Sequence, residues 1–104
     1  MKFKKIIIIG AGAAGCFAAI HNKLTNPTTN VTILEKSRSI LNKVKISGGG
    51  RCNVTHACFE PKDLIEYYPR GKKELLSCFT KFQPLDPIQW FETEGVPLKT
   101  EKDG

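Results

Sequence analysis

The segment "IIIIGAGAAGC", residues 6–16, decides the fold because it supports two incompatible readings. Behind the basic start "MKFKK" it has the make-up of an export signal, with Cys16 as a site of lipid attachment. It has equally the make-up of a buried strand that feeds a phosphate-binding glycine loop. The flanks separate the two. "FKKIIIIG" is a short β-branched apolar run closed by glycine, the pattern of a parallel strand covered on both faces. "GAGAAG" then gives G-x-G-x-x-G at Gly10, Gly12 and Gly15: the first glycine for a tight turn, the second for backbone approach to a pyrophosphate, the third for helix–strand packing.

The residues beyond the loop agree with the second reading. From Ala13, the apolar residues Phe17, Ile20 and Leu24 recur at helical spacing until "TNP" at 25–27 stops the helix. "VTILEK" is a second apolar strand, and it ends in Glu35, 20 residues after Gly15. That is the expected place for an acid that accepts hydrogen bonds from adenosine ribose hydroxyls. An export signal predicts neither the strand nor the acid, and no apolar run is long enough to span a membrane. The expectation is a retained N-terminus and a cytoplasmic protein without membrane attachment.

Composition bounds the rest. With 104 residues, 40% hydrophobic and 25% charged, the chain has room for one modest core and the make-up of an ordinary globular protein. Its net charge of +6 raises nucleic acid as a partner, but the distribution favours something smaller. From Lys36 to Phe59 there are five basic residues and no acid, without the interleaved aromatics of a nucleic-acid groove. A small phosphorylated ligand fits this stretch better, so no nucleic-acid partner is expected. The cysteines at 16, 52, 58 and 78 form neither a C-x-x-C nor a dense disulfide framework, and Cys52, His56 and Cys58 do not make a closed zinc site. Reduced thiols and no metal are expected.

The opening unit leaves the dinucleotide undecided: Glu35 opposes a 2′-phosphate at that position, and FAD and NAD present the same adenosine and pyrophosphate. The next segment, "KISGGGRCNVTH" at 45–56, carries three consecutive glycines that let amides come close to a ligand. "IIIIGAGAAG", "VTILEK" and "SGGGRCN", in this order and spacing, resemble the N-terminus of the BaiN/YhiN-like NAD(P)/FAD-dependent oxidoreductases. The resemblance continues through "FETEGVPLKTEKDG" at 91–104. It implies that Gly10, Gly12, Ala14 and Gly15 line an FAD pyrophosphate and that Glu35 and Lys36 hold the adenosine ribose. It further implies that Asn42 and Lys43, with Ser47, Gly48, Gly49, Gly50, Arg51, Cys52 and Asn53, lie along the ribityl chain and flavin ring. Two positions depart from the family pattern, which usually reads Gly-Arg-Lys where this chain has Leu41, Asn42 and Lys43, and Asn in place of His56.

A flavin-dependent disulfide reductase is a weaker fit. Four residues separate the redox cysteines of such enzymes, whereas five separate Cys52 from Cys58. On a helix that one-residue change turns the second sulfur by roughly 100°. Past residue 59, "PKDLIEYY" and "GKKELLSCFTKF" read as helices, the second burying Leu75, Leu76, Phe79 and Phe82. "DPIQWFETEG" reads as a third, tolerant of Pro87 in its first turn and stopped by Gly95, with Trp90 and Phe91 as packing anchors. "VPLKT" reads as the start of a strand. No catalytic acid–base pair stands out.

The expected fold is therefore α/β: a Rossmann-like FAD/NAD(P)-binding βαβ unit (1–36), a Gly-rich flavin loop (37–59) and a helical segment (60–104), with the doubly wound sheet incomplete. Two strands are too few for such a sheet, so the chain reads as the N-terminal portion of a longer flavoenzyme that moves hydride with NAD(P)H and a small-molecule substrate. Alone it is expected to bind FAD poorly, lack activity and self-associate through open sheet edges. A noncatalytic nucleotide-binding module or truncated relic is the alternative.

Overall fold

The computed structural model describes residues 3–104, and Met1 and Lys2 of the basic start lie outside it. The chain divides into two compact units that meet between Asn53 and Val54 in sequence. The first is a βαβ unit: β1 (Lys5–Ile9), α1 (Ala13–Thr25) and β2 (Asn30–Leu34), followed by α2 (Asn42–Gly50). β1 and β2 pair in parallel with Ile6 opposite Val31 and Ile8 opposite Ile33, and the ladder continues at both ends through Asn30 N–H to Lys4 O and Gly10 N–H to Leu34 O. A parallel pair needs a crossover, and the 13-residue α1 supplies it.

The sheet is covered on one face, not two as the unbroken isoleucine run suggests. Both strands alternate half-buried and exposed positions. Ile8 lies on the side of α1, next to Gly15, whereas Ile7 and Ile9 stay 65% and 79% exposed and Leu34 is exposed beside them. Side chains alternate across a strand, so the run presents half of its isoleucines to each side, and α1 packs on the side of Ile8. An open apolar depression between α1 and β2 is lined by Ala19, Ile20, Leu24, Val31 and Ile33 together with Lys23. Lys23 also fixes the crossover turn, its Nζ donating to Pro27 O at 2.5 Å and Thr29 O at 3.0 Å.

The second unit is helical: α3 (Pro61–Leu64) runs into a 3-10 turn (Ile65–Tyr67), then α4 (Lys72–Lys81) and α5 (Leu85–Thr93). Leu64 is its most buried side chain, and the Tyr68 and Phe79 rings meet at 5.4 Å to join the turn to α4. Phe82, expected on the buried side, is 46% exposed because α4 ends before it and its backbone is extended. Gly95 (φ +84) stops α5 as expected, Val96 N–H reaching back to Phe91 O and Gly95 N–H to Glu92 O. Residues 96–100 form no strand. Beyond them the chain returns to the start of the unit, where Ala57 N–H donates to Gly104 O at 2.7 Å and His56 stacks obliquely on Tyr67 at 4.3 Å.

Candidate nucleotide site

The glycine loop sits where β1 ends and α1 begins. Gly10 takes φ +97, a turn that side chains resist. Gly15 is held by close approach: a Cβ there would lie 2.0 Å from Gly10 O. Gly12 precedes α1, and nothing lies within 4 Å of where its Cβ would be. The first intrahelical bond runs from Cys16 N–H to Gly12 O, so the amides of the first turn have no acceptor within the helix. No side chain caps that end and no acid sits in its first turn. An uncapped helix N-terminus behind open space suits a pyrophosphate, and a side chain at position 12 would fill that space. The residues present therefore fit the group the sequence implies.

Glu35 lies at the end of β2, beside this loop. Its Oε1 accepts from Ala11 N–H at 2.9 Å and its Oε2 from Ser37 N–H at 2.6 Å. Hydrogen bonds from the Ser37 backbone first, and from Ala11 second, hold its carboxyl below the ordinary value. Ala11 is the hub of the loop: it is 3% exposed, its N–H goes to Glu35, and its carbonyl accepts Leu41 N–H at 2.8 Å. Sequence reasoning missed Ala11 because its hydrogen bonds are made by its peptide groups alone. Ser37 and Ser39 were missed as well. Ser37 Oγ donates to Ser39 O, Ser39 Oγ to Asn42 Oδ1, and Asn42 Nδ2 to Ser37 Oγ. Asn42 thus closes a polar ring over the 37–42 turn. Lys36 and Lys43 are exposed on either side of that turn in sequence.

The segment expected to be a loop contains α2. Right-handed helix holds to Ile46, after which Ser47 is extended (ψ 153°) and Gly48 and Gly49 turn left-handed (φ +58 and +67). The turn closes on Ser47: its O accepts Cys52 N–H at 3.0 Å, its Oγ accepts Asn53 N–H at 3.2 Å and donates to Val44 O at 2.8 Å. Arg51 N–H reaches Gly48 O at 3.4 Å. A Cβ on Gly48 would lie 3.0 Å from Asn53 N. Cys52, with φ +59, is an exposed free thiol. Among the described residues no three His, Cys, Asp or Glu side chains gather in a way that could hold a metal ion, and no helix is long and apolar enough to cross a membrane.

A parallel βαβ unit with a glycine turn, an uncapped helix N-terminus and an acid at the second strand's end is a Rossmann-like fold of the dinucleotide-binding class. The chain belongs to the HI0933-like family, whose Rossmann-domain model matches residues 4–104. It is 35% identical over 103 residues to a ribosomal RNA dihydrouridine synthase of Haemophilus influenzae, a match that covers 99% of this chain and 24% of the relative. The Escherichia coli protein of the same name is 35% identical over 79% of this chain and 20% of its own length. A 3-dehydro-bile acid delta(4,6)-reductase of Clostridium scindens is 38% identical over 92% of this chain and 23% of its own. The chain thus spans about a quarter of the length of these relatives, and it is a Rossmann-like domain related to nucleotide-binding oxidoreductases.

Proposed function

We propose that this chain is the N-terminal, adenosine- and pyrophosphate-binding part of a longer cytoplasmic FAD-dependent oxidoreductase of the BaiN/YhiN-like kind, with NAD(P)H as hydride donor and a small-molecule substrate. The observation that carries the reading is the open, uncapped N-terminus of α1 behind Gly12, with Glu35 at the adjoining strand end. Bound FAD would supply the hydride chemistry. The chain's own residues bind and orient: the first-turn amides of α1 face the pyrophosphate, and Glu35 keeps acceptor capacity for ribose hydroxyls, since each carboxylate oxygen accepts more than one hydrogen bond. Gly48 to Asn53 form a self-bonded turn closed on Ser47, and this turn would lie along the flavin.

The relatives' names support a proposal for the substrate class. Dihydrouridine is uridine with a ring C=C bond saturated, and that bond is conjugated to a carbonyl. A 3-dehydro steroid unsaturated at positions 4 and 6 is likewise a carbonyl conjugated to C=C bonds. We propose the same class here: a C=C bond made electron-poor by a conjugated carbonyl, reduced by net addition of hydride and a proton. The test begins with the full-length protein purified from its own cell. Flavin absorption bands that bleach on anaerobic addition of NADPH or NADH, and return when a conjugated steroid enone is added, are the expected result. Recolouring by a uridine-containing ribosomal RNA transcript instead would keep the chemistry and replace the small-molecule substrate. A colourless protein that takes up no added FAD would leave a noncatalytic nucleotide-binding module.

A further inference from the structure

Glu35 does more in this fold than the ribose contact requires. Its two oxygens bridge two backbone amides of very different origin, Ala11 in the glycine loop and Ser37 two residues along its own turn. The same Ala11 is gripped from its other side by Leu41 N–H. Ala11 lies between Gly10 and Gly12, so the plane of its peptide sets the direction in which the loop enters α1. Glycines on both sides leave that plane little local restraint of its own. The restraint comes from the turn after β2.

We propose that Glu35 is a positioning residue that fixes the Ala11 peptide, and with it the phosphate-facing start of α1, before any nucleotide arrives and independently of its contact with ribose. The proposal rests on the nucleotide-binding role of this loop and deepens it. A carboxylate suits the task because it offers two acceptor oxygens and no donor. Glutamine offers one oxygen and an NH2 group that would face an N–H, so it satisfies one of the two amides and leaves the other without an acceptor. Aspartate keeps the charge and the local bond to the amide two residues on, as Asx turns do, but is one methylene too short to hold Ala11 as well.

Single-residue amide hydrogen exchange on the full-length protein, stripped of nucleotide, tests the first half. In the wild type the Ala11 and Ser37 amides exchange slowly. In Glu35→Gln one of them speeds up by roughly tenfold or more, and in Glu35→Asp Ala11 speeds up by a similar factor while Ser37 stays slow. Should Glu35→Gln fail to fold, the aspartate variant decides alone. The second half is read with a ligand change: binding of FAD and of an FAD analogue lacking both adenosine ribose hydroxyls, each to wild type and Glu35→Gln. A positioning role predicts that the loss in affinity caused by Glu35→Gln persists with the analogue. A loss that vanishes with the analogue, or Ala11 exchange equal in all three proteins, overturns the proposal. If neither nucleotide binds even the wild type, the flavin reading fails, and the exchange rates still decide whether Glu35 holds the loop.

Discussion

The two glycine-rich segments of the first unit use the same residue to opposite ends. In "GAGAAG" Gly10 makes the turn (φ +97), Gly15 lets α1 lie against Gly10 O, and no atom lies within 4 Å of a Cβ at Gly12. In "SGGGRCN" they create a reversal, and the amides after it are spent on Gly48 and Ser47 rather than offered outward. The first is the candidate nucleotide site, an open helix start held in shape by the clamp proposed at Glu35. The second is a self-contained turn that needs no clamp. Glycine count alone does not separate these two loop geometries.

The first segment is most sensitive at Gly15. A Cβ 2.0 Å from a backbone oxygen cannot be relieved by a rotamer change, so α1 must shift off β1. Gly15→Ala should destabilise the protein by about 3 kcal/mol or more, at the upper end of overpacking costs. Denaturant midpoints with an unchanged m-value would measure it. An effect below about 1 kcal/mol would mean that the helix is not seated on the strand as described.

The second segment should respond by conformation more than by contact. Gly49→Ala meets no atom within 4 Å but places a side chain at φ +67, a cost of about 1 kcal/mol. Gly48→Ala adds a 3.0 Å approach to Asn53 N and should cost about 2 kcal/mol. The difference between these two variants, read from the same thermal or denaturant curves, isolates the part of the turn's stability that comes from closure on Asn53. Equal effects would show that Asn53 moves freely and that the turn is not closed.

Much of the first segment was legible in the sequence. Period, glycine spacing and terminal acid all act locally, so β1, α1, β2 and the place of Glu35 followed from residues 5–35 alone. The clamp was not legible, because it engages Ala11 through its peptide and Leu41 through its N–H, and neither bond leaves a side-chain signature. The 37–42 ring is built from serines and an asparagine, common in any loop. The isoleucine run reads as covered on both faces, whereas among the described residues Ile7 and Ile9 are exposed.

Acid should loosen the first segment and leave the second unaffected. The folded Glu35 pKa lies below its ordinary value of 4.5, so the carboxylate's contribution is present above about that pH and is lost as pH falls through the lowered folded value. The stability gap between wild type and Glu35→Gln should be constant near neutrality and close in that acid window. The effect should be modest, because the carboxylate is exposed to solvent. A gap that widens as pH falls would reverse the sign of the linkage and remove the backbone hydrogen bonds as its cause.

The smallest effect belongs to the joint between the segments. Leu41 adopts φ +57, ψ +31 at the start of α2, a left-handed conformation that its Cβ disfavours, and it does so while its N–H reaches Ala11 O. The resembling family usually has glycine there, and the backbone geometry gives the physical reason. Leu41→Gly removes the strain but also the half-buried side chain, and it adds chain entropy to the unfolded state. The first term should win narrowly, for a gain of about 0.5 kcal/mol. Slow exchange at Ala11 should be kept in this variant, because the clamp at position 41 is a backbone bond. A clear loss of stability would mean that the leucine side chain, rather than its N–H, is what position 41 contributes to the loop.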